Sequence, residues 1–340
     1  MFPLFQLSGF SLLAILLLPL TVHEPAVSAL PVETTIGTYP ADSANRLSGF
    51  DFIDPVIKAD STDLVIPFNR AGNLILIKAR IDSVEGNFVL DTGAPRLVLN
   101  MTYFRDMPPL GDAPEEHAGG ITGGAGGSNP TAVRELRMGG ITFSRLNADR
   151  INLGHIENSR GVRILGLLGM ELFRRFEMII DYENSLIYLH LISRKEASTY
   201  QSAQLADTSK YNEFRINLTE NKLLTFATIG GKKLTFVIDT GAESNVLDSR
   251  LPDRIFENVT ISRRVVLTGS GSSRIEALYG DMKNMKLGHL DIGSLPVLVT
   301  NLEKLCFSYD RCIDGMLGFD FLSMHKIGFN FVRNKMYIWK

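Results

Sequence analysis

Apolar residues return with a period of two at Ile75, Ile77, Ala79 and Ile81, the spacing of a strand with one face buried. The same spacing recurs 148 positions later at Leu223, Thr225, Ala227 and Ile229. Each strand is followed by an unbroken apolar run, Phe88-Val89-Leu90 in the first case and Phe236-Val237-Ile238 in the second. Further matches keep the same order along the chain. Ile121-Thr122-Gly123 answers to Leu267-Thr268-Gly269, and Leu168-Gly169-Met170-Glu171 to Leu317-Gly318-Phe319-Asp320. The stretch from Asp181 to Tyr188 answers to that from Asn330 to Tyr337. A nearly constant offset, 146 to 149 positions, with a fixed order of elements predicts a duplicated domain. Both copies read as short strands bounded by Gly, Asn and Asp, so the fold class is mainly β. The helix candidates are brief, at 170–176 and around 252–258.

Between the copies, residues 191–214 are rich in Ser, Lys, Gln, Asp and Ala without an apolar period, which reads as a linker. The two lobes are placed at 65–190 and 215–340, each of ordinary domain size. Ahead of them, 30–64 carries Pro31, Pro40 and Pro55 among Asp and Ser, and reads as a loosely held N-terminal extension. Residues 9–22 hold no charge and 12–20 are almost wholly apolar, too short a run for a comfortable membrane span. Ala26-Val27-Ser28-Ala29 then offers a small-residue cleavage site, so 1–29 reads as a signal peptide, although no Lys or Arg precedes the apolar run. The expected location is periplasmic or extracellular. A membrane becomes a partner only if this segment stays uncleaved as an anchor.

Composition narrows the chemistry. The chain has 340 residues, 45% hydrophobic and 21% charged, and 35 Lys+Arg against 37 Asp+Glu leave a net charge of −2. No basic excess marks a nucleic-acid footprint, so no nucleic-acid partner is expected. Two cysteines are too few for an all-thiolate zinc site. The six histidines are scattered and contain no H-E-x-x-H, and neither G-x-S-x-G nor a P-loop is present. No metal or cofactor is therefore expected.

What remains is Asp91 and Asp239, each at the end of an apolar run and each followed by Thr-Gly-Ala. With both triplets at one offset, the chain resembles two retropepsin-like domains in tandem, an aspartic peptidase of the pepsin/retropepsin type. The resemblance implies two homologous lobes of the acid-protease closed β-barrel type, related by a pseudo-twofold axis. It also implies a monomer whose dyad is intramolecular, with Asp91 and Asp239 activating a water against an extended polypeptide substrate. Thr92 and Thr240 would bond across the lobe junction, and Gly93 and Gly241 would permit close backbone approach. Ala94 and Ala242 complete the active loops, and Leu168-Gly169 and Leu317-Gly318 would pack behind them. A non-catalytic peptide-binding protein on the same fold is the alternative reading.

The glycine-rich segments 119–127 and 268–273 fall where flaps over a cleft belong, with Gly123, Gly124 and Gly126 in one and Gly269, Ser270 and Gly271 in the other. Neither contains the tyrosine found on the flap of the pepsin branch. Cys306 and Cys312 are six apart and read as a local disulfide staple in an exported protein. N-x-S/T sequons begin at Asn100, Asn217 and Asn258, and matter only in a eukaryotic secretory pathway.

Overall fold

The computed structural model describes residues 15–17, 55–110, 116–120, 123–268, 274–306 and 312–340. The leader read at 1–29 lies outside the described residues apart from the backbone of Ile15–Leu17, which pairs with Glu116–Gly120.

The first lobe is a closed barrel. Leu74–Ile81 pairs with Val84–Leu90, and Gly166–Leu168 runs parallel to Val84–Leu90 and antiparallel to Leu97–Asn100. Leu97–Asn100 is parallel to Ile141–Ile151, which forms a hairpin with Gly123–Met138. The ring closes where Arg80 and Ile81 meet Arg137 and Leu136. The second lobe repeats this order with Lys222–Ile229, Lys232–Ile238, Gly315–Leu317, Asn245–Asp248, Leu295–Thr300 and Arg274–Met282. Where the first lobe closes, the second pairs Thr228 with Lys286 of the separate short strand Lys286–Leu287, which turns back on Leu290–Asp291.

The unbroken apolar runs ahead of the aspartates follow from this arrangement, because their strands are covered on both faces. Phe88 and Leu90 join one apolar cluster while Val89 joins another, and Phe236 and Ile238 are divided from Val237 in the same way. The largest cluster runs through both lobes and includes Phe176 and Phe329.

A third sheet joins the lobes. Its six strands run in the order Tyr211–Arg215, Lys335–Trp339, Ile327–Asn330, Phe176–Asp181, Leu186–Leu191 and Asp63–Pro67. The two halves of this order are the same three elements from each copy, reversed about the central pair. That pair sets Met178 against Phe329 and Ile179 against Gly328, and Asn330 Nδ2 donates to Glu177 Oε2 at 2.9 Å across the seam.

Three segments differ from the sequence reading. The extension is held from residue 56 onward: Val56–Ala59 pairs with the 141–144 stretch, and Asp63–Pro67 forms one edge of the joining sheet. Linker residues 211–214 belong to a strand at the opposite edge. Both are edge strands that bury only some of their positions: in Asp63–Pro67 the apolar Val65 is exposed while Ile66 is buried, and Tyr211–Arg215 interrupts its apolar residues with Asn212 and Glu213, so neither shows a clear apolar period. The helix read at 170–176 is a single 3-10 turn, Met170–Leu172, and the chain is already extended at Phe176, where burial of every residue in Phe176–Asp181 outweighs helix propensity.

Candidate active site

Each aspartate is placed by the strand before it and by the apolar-Gly element behind it. Asp91 N–H donates to Leu168 O at 3.1 Å and Met170 N–H to Ala94 O at 2.8 Å. In the second copy Asp239 N–H donates to Leu317 O at 3.0 Å and Phe319 N–H to Ala242 O at 2.9 Å. Gly169 and Gly318 thus lie directly against the two active loops.

The loops meet on the pseudo-axis through four crossed hydrogen bonds. Thr92 N–H donates to Thr240 Oγ1 at 3.0 Å and Thr240 N–H to Thr92 Oγ1 at 2.9 Å. The Thr92 hydroxyl donates to Ile238 O at 2.9 Å, and the Thr240 hydroxyl to Leu90 O at 2.8 Å. Each hydroxyl donates once and accepts once inside a buried junction, where hydrogen bonding is most costly to lose.

This crossover sets each carboxylate against the opposite glycine. A Cβ on Gly93 would lie 2.5 Å from the carboxyl carbon of Asp239, and one on Gly241 would lie 2.6 Å from that of Asp91. Asp91 Oδ1 accepts from Gly93 N–H at 2.9 Å and Ala94 N–H at 3.0 Å, while Asp239 Oδ1 accepts from Gly241 N–H at 2.7 Å. Both side chains are buried. Burial raises both pKa values, foremost for Asp91, on which the charge of Asp239 acts in the same direction. The amide donors oppose the shift without cancelling it.

The described part of the first glycine-rich segment lies in a pair of antiparallel strands. Gly123, Gly124 and Gly126 lie in the strand Gly123–Met138, where Gly124 pairs with Gly119 and Gly123 with Gly120 of Glu116–Gly120. In the second lobe Val259–Thr268 pairs with Arg274–Met282, and Gly269, Ser270 and Gly271 lie outside the described residues. Cys312 is disulfide-bonded, and Cys306 is the other cysteine of the chain. The Asn100 side chain is buried and caps the short helix Met101–Phe104, with Nδ2 donating to Ile164 O at 2.9 Å, so that sequon serves the fold. Among the described residues no cluster of three His, Cys, Asp or Glu side chains is spaced to hold a metal ion.

Residues that sequence reasoning passed over surround the second loop. Glu243, directly after Ala242, forms a buried ion pair with Arg160 of the first lobe. Asn73 Nδ2, also from the first lobe, donates to Glu243 O at 3.1 Å. Burial pushes the Glu243 carboxyl up to about 7 against the pull of Arg160. Arg70 lies 4.5 Å from the centre of the Phe319 ring, a further contact between lobes. The one available signal was the break in the repeat: Asp-Thr-Gly-Ala is followed by Pro95 in one copy and by Glu243 in the other.

Two homologous β lobes that bring paired Asp-Thr-Gly loops together on a pseudo-twofold axis define a bilobal protein of the aspartic peptidase class. The sequence profile described as Aspartyl protease matches residues 77–172 and again 226–321, one match per lobe, and the chain belongs to that family. Among solved structures, a retropepsin-like aspartic protease from Rickettsia conorii aligns at 19% identity over 41% of this chain and 96% of its own, with a TM-score of 0.29. Basic 7S globulin from soybean aligns at 12% identity over 82% of this chain and 94% of its own, with a TM-score of 0.40. No curated relative matches the sequence.

Proposed function

We propose that the protein is an aspartic endopeptidase that completes its dyad within one chain and cleaves extended polypeptides between its lobes. The observation that carries this reading is the reciprocal approach of each carboxylate to the opposite loop's glycine in a desolvated junction. Two carboxylates so placed hold one proton between them, because both cannot ionise at such short range. The ionised member takes a proton from a water lying between them as it attacks the scissile carbonyl carbon. The protonated member donates to the carbonyl oxygen, giving a tetrahedral diol, and proton return to the amide nitrogen releases both products. Substrate would lie extended, with main-chain hydrogen bonds setting its register and apolar pockets its preference. The strand pairs 116–120 with 123–138 and 259–268 with 274–282 would lie over it. The test is incubation of the mature protein with a peptide library, with and without a hydroxyl-bearing transition-state analogue. Cleavage that the analogue blocks supports the proposal, whereas analogue-insensitive cleavage or binding without cleavage removes it.

Each lobe supplies one aspartate, so chains ending at Ser193 or starting at Lys210 should be inactive when expressed alone. Sustained cleavage by the first half alone would show that two copies of Asp91 suffice.

The raised pKa values set the expected pH range. The acidic limb of kcat/KM reports ionisation of the coupled pair and should lie above the range of an exposed carboxylate. Ala94 and Ala242 offer no hydroxyl to the carboxylates, and a donor to the charged form lowers a pKa. The double variant Ala94→Ser/Ala242→Ser should therefore move the limb to lower pH by several tenths of a unit, with one unit worth about 1.4 kcal/mol. A limb that moves upward would assign control to desolvation by the new side chains.

The leader pattern and the oxidised state of Cys312 support export to a periplasmic or extracellular compartment. Mass spectrometry of the mature N-terminus tests it, with cleavage after Ala29 the expected result.

A further inference from the structure

The two active loops are symmetric through Ala94 and Ala242 and then diverge. In the first, the Pro95 ring fixes its own φ, and Pro95 O accepts from Glu171 N–H at 3.2 Å. In the second, Glu243 stands at the matching position, and both its backbone and its side chain are held from the opposite lobe. Arg160, the last residue of the helix Gly154–Arg160, pairs with the carboxylate, and Asn73 holds the carbonyl. The ion pair is buried, with 10% and 7% exposure of the two side chains, and Asp320 is the other charged group acting on Glu243.

The crossed threonines lie on the pseudo-axis, where they fix the separation of the loops but act as a pivot against tilt. A second constraint away from that axis is needed to fix rotation. On one side proline provides local stiffness, and on the other Glu243 ties the loop to the facing lobe, away from the axis, through Arg160 and Asn73. From the peptidase reading above, we propose that Glu243, gripped by Arg160 across the lobe junction, is a positioning residue for the dyad. It sets the tilt of the 239–242 loop and thereby the placement of the Asp239 carboxylate relative to Asp91. Gly241 N–H, which holds Asp239 Oδ1, is two residues away, so a displacement at Glu243 is passed directly to the carboxylate.

If the pair merely fastened the lobes, its loss would lower thermal stability and leave the turnover of folded molecules unchanged. The full chain is therefore compared with Glu243→Gln, Arg160→Lys and the double variant Glu243→Leu/Arg160→Met. The last is included because a buried ion pair is often replaced without loss of stability by apolar residues of similar volume. Active sites are counted by titration with the transition-state analogue, and melting is followed in parallel. The expected result is a fall in kcat of roughly tenfold or more in Glu243→Gln and the double variant, since small misplacements of reacting groups are costly. KM should stay within about twofold, and analogue affinity should fall in step with kcat/KM. Arg160→Lys, which keeps the charge but not the fork, should retain more turnover than Glu243→Gln. Folded Glu243→Gln or double variant with wild-type kcat and analogue affinity overturns the proposal while leaving the peptidase reading intact. A wild-type chain that cleaves nothing overturns both.

Discussion

Replacing either aspartate by asparagine is expected to abolish peptide cleavage and to leave a folded protein that melts no lower at pH 7 than the wild type. The catalytic half of this result follows from the division of labour proposed for the dyad. One carboxyl must be ionised and the other protonated, and an amide can do neither task, so losses of about 10³-fold or more are expected in each single variant. Residues acting as a unit are not additive, so Asp91→Asn/Asp239→Asn should be scarcely worse than either single change. The stability half follows from linkage. Both groups have pKa values raised in the folded protein, so their ionisation favours the unfolded chain. Their contribution to stability is fully present below the unfolded pKa and is lost as pH rises through the folded values. At neutral pH the asparagine variants escape that loss, while their Oδ1 atoms still accept from Gly93, Ala94 and Gly241 N–H groups. Thermal melts at pH 4 and pH 7 check the sign: the advantage of the variants should be larger at pH 7. Wild-type turnover in either single variant would remove the two-carboxylate mechanism, and unfolding of both would make the aspartates structural.

Alanine at Gly93 or Gly241 should be at least as damaging to activity, for a different reason. The new Cβ would stand 2.5 Å from the Asp239 carboxyl carbon in one case and 2.6 Å from that of Asp91 in the other, closer than real Cβ contacts come. The carboxylate cannot swing aside freely, because amide donors hold it from within its own loop. The loops must therefore part, which strains the crossed threonine bonds. Overpacking of this kind costs about 1–3 kcal/mol in a well-packed interior. Here it also displaces both reacting groups, so cleavage should fall to the level of the asparagine variants while the melting temperature drops. Since each glycine faces the other lobe's aspartate, Gly93→Ala and Gly241→Ala should behave alike. A strong loss in only one of them would show that the two loops are not equivalent.

The centre of this molecule was legible in the sequence because its constraints are local and doubled. Phe88 to Ala94 and Phe236 to Ala242 spell strand, turn and chemistry in seven residues each, and the duplication removed the ambiguity of a single short motif. Leu168-Gly169 and Leu317-Gly318 were legible for the same reason. The margins were not. Asp63–Pro67 and Tyr211–Arg215 are edge strands that gain their order from a sheet assembled from both lobes. Arg160 and Glu243 are 83 positions apart, and neither stands in a pattern that announces a partner. Contacts created only when two lobes dock leave almost no periodic trace, since each needs a single suitable side chain on each surface.

The joining sheet also imposes a timetable on synthesis. Phe176–Asp181 leaves the ribosome roughly 150 residues before Ile327–Asn330, the strand it pairs with. At about 5–20 residues per second, its open edge waits on the order of ten seconds or longer. The first barrel has all its own strands by then and can close, but this strand, with Phe176, Met178 and Ile180 on one face and Glu177 and Asp181 on the other, keeps an unpaired edge open to any passing β-segment. A nascent chain therefore spends that interval relying on something other than its own completed fold to keep this edge from the wrong neighbour.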